Sequence, residues 1–155
     1  MERQRSSRTC FVCGRQNDVS LRATWYNDIE AQKVRSTLTI PEHFNGYPGV
    51  VHGGIVATLL DETAGRALLL DGDDSLLMVT LRLEVKYRLP TPTGQPVSLA
   101  GWVVQRSKAR ARVAAELRLQ DGSVAAQAEA VVVRPGDEFA RKWDAEKPFW
   151  RVYED

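Results

Sequence analysis

The chemistry in this sequence concentrates between positions 52 and 61, where His52-Gly53-Gly54 is followed seven residues later by Asp61. The pattern predicts a helix over about 53–70, and the first turn of any helix leaves backbone N–H groups without intrahelical partners. Those donors lie at the positive end of the helix dipole. Two glycines remove the side chains that would block approach, so a carbonyl oxygen can reach the N–H of Gly53 or Gly54 as in an oxyanion hole. A tight loop-to-helix turn uses Gly-Gly equally well, and His52 either holds that turn or contacts the reacting group. Asp61 carries the second function: a carboxylate in mid-helix costs several kcal/mol on burial unless it is paired or used. Burial raises its pKa and suits it to act as a base or nucleophile, the alternative being a core aspartate bonded to a neighbouring loop. Gly53 and Asp61 are eight residues apart, hence ~12 Å along one helix, too far for both to touch one carbonyl group. Two such helices lying antiparallel in a two-fold dimer would bring Gly53 of one chain near Asp61 of the other and form two composite sites.

The helix that positions these groups is unusual. Ile55, Val56, Leu59, Leu60, Ala67 and Leu70 cover most of its circumference, so it is expected to be buried nearly all round. Glu62 and Arg66 stand four apart and can pair, whereas Asp61 shares its side with Gly54, Ala57, Thr58, Gly65 and Leu68 and has no partner on its own helix. Before the helix, alternation over 21–26 and a second run over 34–40 predict an opening hairpin, and 41–52, with its Asn-Gly and Pro-Gly pairs, predicts a loop. After it come β-type runs at 76–89, 97–105, 110–120 and 124–133, with Asp121-Gly122 as a hairpin turn. One buried helix among antiparallel strands implies an α+β fold in which a curled antiparallel sheet wraps one long helix. The tail from 135 onward, with Phe139 and Trp143 at helical spacing and then Phe149, Trp150 and Tyr153, is expected to dock on that body.

Composition limits the alternatives. The 155 residues are 43% hydrophobic and 26% charged, the balance of one globular domain, and 21 basic against 20 acidic residues leave a net charge of +1. No global charge draws a nucleic acid or an anionic membrane, so any anion site is local. The most apolar stretch, 55–70, is broken by Asp61, Glu62 and Arg66 and is too short to span a bilayer. Residues 1–20 contain no apolar signal core, and a cytoplasmic location is the default expectation. Cys10 and Cys13 form a CxxC pair, half of a tetrahedral zinc site, and His43 and His52 are the only histidines. The pair is expected to be a reduced structural turn, with no metal and no cofactor.

Residues 44–70, FNGYPGVVHGGIVATLLDETAGRALLL, resemble the signature of the PaaI-type acyl-CoA thioesterases of the hotdog superfamily. TLRLEVKYRLPTP over 80–92 is similar to that family's next strand, which ends in Tyr-x-x-Pro, and CFVCGRQN over 10–17 is like the start of one branch. The likeness covers most of 10–134. It implies a single hotdog domain over 1–155, with an N-terminal extension at 1–18 and a tail at 135–155. It further implies a homodimer or a homotetramer built as a dimer of dimers, and metal-free hydrolysis of an acyl-CoA to a carboxylic acid and coenzyme A. By position, Gly53 matches the residue whose N–H polarises the thioester carbonyl, Asp61 the catalytic carboxylate, and Thr80 a Ser/Thr that assists it; His52 and Gly54 belong to the same motif. Some relatives carry Asn or Gln six residues before the histidine, where this chain has Gly46, with Asn45 beside it as the candidate substrate contact.

Arg106, Lys108, Arg110 and Arg112 alternate with small residues and are expected on one strand face, either as a solvated surface or as a clamp for the phosphates of coenzyme A. Two other functions compete. His43-Phe44 looks like part of a hotdog dehydratase motif, but the position where such relatives carry their helix carboxylate is Ala57. A non-catalytic acyl-CoA sensor of the repressor type needs a DNA-binding unit, and about twenty residues before the first strand are too few for a helix-turn-helix.

Overall fold

The computed structural model describes residues 1–73, 75 and 78–154. Among these the chain runs β1 (Glu2–Arg3), β2 (Tyr26–Asp28), β3 (Lys33–Thr39), β4 (Asn45–Tyr47), β5 (Val50–Val51), α1 (Gly53–Arg66), β6 (Val79–Tyr87), β7 (Pro96–Arg106), β8 (Arg110–Arg118), β9 (Val124–Val133) and α2 (Asp137–Asp144). Seven strands form one antiparallel sheet in the order β1-β2-β3-β7-β8-β9-β6, and β4 and β5 make a separate small hairpin. The sheet packs around α1, which continues as a 3-10 turn through Leu69. Residues 55–70 are all buried or half-buried, as the apolar circumference of the helix requires.

Alternation explains how the sheet holds the helix. Ala111, Val113, Ala115 and Leu117 on β8 are buried, while Arg110, Arg112 and Arg118 on the same strand are exposed. β9 adds Ala126, Ala128, Ala130 and Val132 to the core. So many alanines let strand and helix backbones approach, and the approach is closest at Gly101 on β7, where an added Cβ would stand 2.3 Å from the Thr63 carbonyl oxygen. Thr63 is fully buried yet satisfied: its hydroxyl donates to the Leu59 carbonyl at 2.6 Å and accepts from the Trp25 indole at 3.0 Å. Leu59 and Leu60, also fully buried, fill the remaining space under the sheet, where truncation to Ala costs about 2–5 kcal/mol.

Three expectations need correction. The first strand of the opening hairpin is β2, Tyr26–Asp28, rather than 21–26, because Arg22 adopts a left-handed φ of 51° and the amides of Leu21 and Ala23 bond to the carbonyls of Phe11 and Val12 in the cysteine turn. The loop over 41–52 contains the β4–β5 hairpin and a 3-10 turn, Glu42–Phe44. The predicted run at 76–89 is a strand over Val79–Tyr87, and its first two residues, Leu76 and Leu77, lie outside the described residues.

Two features of the periphery bear on function. β6 is an edge strand nine residues long with Leu81 and Tyr87 more than half exposed, an open template for pairing with another chain. At the other end of α1 the tail docks as expected: the buried Arg66 guanidinium lies 4.5 Å from the Trp25 ring centre and 5.1 Å from that of Trp150. Arg8 joins the N-terminal segment to the tail through Glu146 at 2.6 Å and the Phe149 ring at 3.8 Å.

Candidate active site

The start of α1 is held by His52. Its Nδ1 accepts the Gly54 N–H at 2.9 Å, so a neutral ring carries its proton on Nε2, and the His52 backbone N–H donates to the Phe44 carbonyl at 2.9 Å. The glycines around it are closely packed: a Cβ on Gly54 would meet His52 Nδ1 at 3.1 Å and one on Gly46 would meet His52 Cα at 3.2 Å, so either side chain would make the histidine shift by a few tenths of an ångström. With the Gly54 N–H consumed by the cap, the Gly53 N–H is the first-turn donor with no partner among the described hydrogen bonds. The Gly53 carbonyl accepts from the Tyr87 hydroxyl at 2.6 Å, which pins this peptide to β6. Tyr87 was missed as a site residue, although the Tyr-x-x-Pro ending of its strand was the signal. Gly53, His52, Tyr87 and Val56 line a cavity of about 470 Å³.

Asp61 lies two turns further along the helix, half-buried, and its Oδ1 accepts the Thr80 hydroxyl at 2.8 Å. Burial holds its pKa above the ordinary carboxylate value and the neighbouring Glu62 charge adds to the effect, while the Thr80 hydrogen bond opposes it. A second cavity of about 340 Å³ is lined by Asp61 and Thr80 together with Leu68, Met78, Val132 and Trp150. Glu62 turns from Asp61 toward Arg66, which it meets at 2.8 Å, the pairing that the spacing predicts. Cys10 and Cys13 reach the same cavity as free thiols. Their mutual hydrogen bond takes the Cys10 pKa down to about 6 and, with burial, pushes Cys13 up.

Within one chain, therefore, Asp61 and Thr80 come together, whereas Gly53 and Asp61 open into different cavities. Asn45 sits on β4 opposite Val51, and its side-chain Oδ1 is buried with no partner among the described residues, an acceptor lacking a donor. The basic residues do not share one strand face. Arg106 ends β7 and Arg110 begins β8, with Lys108 in the turn between them. Arg106 is in register with the buried Ala111, which places it on the opposite side of the sheet from Arg110 and Arg112, and it approaches Asp71 at 3.7 Å. Arg112 is engaged by Glu129 at 3.2 Å, so the four cations straddle a hairpin.

The profile of the thioesterase superfamily matches residues 48–126, which contain Gly53, Asp61, Thr80 and Tyr87. The chain belongs to that superfamily. This member is 36% identical over 70 residues to acyl-coenzyme A thioesterase THEM4 of Mus musculus, a match covering 45% of this chain and 28% of the mouse protein. Its fold matches the crystal structure of the thioesterase superfamily protein RHA08564 with a TM-score of 0.73 at 30% identity, covering 81% of this chain and 63% of the other. It also matches smu.793 of Streptococcus mutans, solved with acetyl CoA bound, with a TM-score of 0.60 at 23% identity, covering 68% of this chain and 82% of that one. Superfamily membership agrees with the hotdog fold expected from the sequence. No described helix is long and apolar enough to cross a membrane.

Proposed function

We propose that this protein hydrolyses acyl-CoA thioesters at a site shared between two chains. The observation that carries the reading is the position of the two reactive groups on α1: a free Gly53 N–H in one cavity and the Asp61–Thr80 pair in another, eight residues or ~12 Å apart. The thioester carbonyl oxygen accepts from the Gly53 N–H of one protomer, where the helix dipole favours the charge that develops on it. Asp61 of the second protomer acts on the carbonyl carbon, either as base toward a water or as nucleophile, and Thr80 orients the carboxylate. By either route one water is consumed, the C–S bond breaks, coenzyme A leaves as the thiol and the acyl group leaves as the acid. The raised pKa of Asp61 fits a proton acceptor better than an ordinary surface carboxylate would.

Two surfaces support a dimer of this form. Antiparallel pairing of the open β6 edges would bring two copies of α1 alongside one another. The side of the helix that carries Asp61 is built from Ala57, Thr58 and Gly65, and a Cβ added at Gly65 meets nothing within 4 Å. That leaves room for a second helix. The acyl-coenzyme A thioesterase name of the mouse relative and the acetyl CoA in the S. mutans structure support the substrate class. On this reading Lys108 and Arg110, both exposed at the β7–β8 turn, are the basic residues that would meet its phosphates. The test is thiol release by the purified protein from a panel of acyl-CoAs. Saturable turnover of at least one member supports the reading, and tight acyl-CoA binding without any turnover would make the protein a sensor instead.

A further inference from the structure

The CxxC pair is half of a zinc site in the sequence, and the fold supplies a third ligand. We propose that Cys10 Sγ, Cys13 Sγ and a Glu62 carboxylate oxygen hold one divalent transition-metal ion of the zinc class. Their ligand atoms all lie within 4.8 Å of one another, and Cys13 and Glu62 belong to segments 49 positions apart that only the folded chain brings together. Zinc bonds of ~2.3 Å to sulfur and ~2.0–2.2 Å to oxygen put tetrahedral ligand atoms ~3.5–3.8 Å apart, so closing the site needs about an ångström of side-chain rotation.

The turn around the sulfurs has the features of a metal-binding knuckle. The Val12 N–H donates to Cys10 Sγ at 3.3 Å and the Ser7 N–H to Cys13 Sγ at 3.4 Å, the outer hydrogen bonds that steady thiolates against a cation. Gly14 closes the turn by donating to the Cys10 carbonyl at 2.8 Å, and a Cβ there would lie 2.3 Å from that oxygen. Charge also balances. Two thiolates and Glu62 carry −3 against +2 on the metal, and the buried Arg66, already 2.8 Å from Glu62, supplies the remaining +1. Loading takes in one cation and releases to solvent whatever thiol protons the two cysteines still hold, with no change of oxidation state. Thiolates in this set favour zinc, cobalt or cadmium over magnesium or calcium. Cys10, Cys13 and Glu62 all line the cavity that Asp61 lines, so a fourth coordination position faces that space. The ion would fasten the N-terminal turn to α1 one residue from Asp61.

The proposal is tested on the full chain, reduced and stripped with a chelator, by titration with cobalt(II) and then zinc(II) alone. The expected result is one cobalt per chain, with the visible bands of a tetrahedral ion and a near-ultraviolet sulfur-to-cobalt band, all displaced by zinc, and a higher melting temperature for the loaded protein. Glu62→Gln keeps an acceptor for Arg66 and should weaken zinc binding by at least about tenfold. Cys13→Ser should weaken the sulfur-to-cobalt band, and if that variant does not fold, Glu62→Gln carries the test. A folded, reduced protein that takes up no stoichiometric cobalt overturns the proposal, as does a bound ion without thiolate bands or an unchanged affinity in Glu62→Gln. Isolation as a Cys10–Cys13 disulfide that binds no metal after reduction would assign the pair to redox chemistry instead.

Discussion

Replacing Asp61 by asparagine separates a working carboxylate from a structural one, because the two roles predict opposite effects on stability. The amide is nearly isosteric and can still accept the Thr80 hydroxyl, so the 2.8 Å contact survives. What disappears is the charge that burial holds in an unfavourable place. Asp61 has a folded pKa raised above its unfolded value, so its contribution to stability is full below the unfolded pKa and is lost as pH rises through the folded pKa. Asp61→Asn does not titrate. Its melting temperature relative to the wild type should therefore rise as pH is taken from below 4 to above neutrality, ending equal or higher. Activity should move the other way: loss of a positioned base or nucleophile forfeits at least about 100-fold in kcat, about 2.7 kcal/mol of transition-state stabilisation. The assays are thermal melts at several pH values and thiol release on the same preparations. A variant that is markedly less stable at neutral pH but turns over normally would refute the reasoning and make Asp61 a satisfied core residue.

Two further outcomes follow from the same geometry. Thr80→Val removes a hydrogen bond to a charged acceptor, a group worth about 1.5–3 kcal/mol. Thr80 is exposed and water takes over part of that role, so kcat should fall only about tenfold with KM little changed; a loss confined to KM would place Thr80 in substrate binding. Charge reversal at Lys108 and Arg110 should raise KM for acyl-CoA far more than for a short thioester lacking the nucleotide, since phosphate contacts are shared by ground and transition states. Equal changes for both substrates would leave the β7–β8 turn as solvated surface.

How far the sequence could be read depended on whether a feature is local. The long helix, its nearly complete burial, the Glu62–Arg66 pair and the later strands all follow from periodicity and spacing within single segments. The opening hairpin was legible but the bounds of its first strand were not, because the chain at 21–23 bonds to the cysteine turn ten and eleven positions away, and alternation of apolar residues cannot reveal that. The shared face assigned to Arg106–Arg112 failed for a related reason. Alternation continues smoothly across a tight turn, and without a Gly-containing turn signal the hairpin at 107–109 was hidden. In the candidate site, Gly53, His52 and Asp61 were legible as a local motif. Tyr87 on Gly53 and Glu62 beside the cysteines are contacts between distant segments, visible only once the sheet has closed around α1.

The claim at the centre is that each site takes Gly53 from one chain and Asp61 from the other, and complementation measures it directly. Gly53 is the first residue of α1, where proline is well tolerated, and the preceding His52 already has the extended backbone (φ −55°, ψ 134°) that a following proline demands. Gly53→Pro thus deletes the candidate oxyanion donor while keeping the helix. This variant and Asp61→Ala, each inactive alone, are mixed, unfolded and reassembled. In a heterodimer both lesions fall in one composite site and the other site is wild type. With half the dimers mixed and one good site in two, about a quarter of full activity should return. If heterodimers form and no activity returns, the site is not shared between the chains in this way.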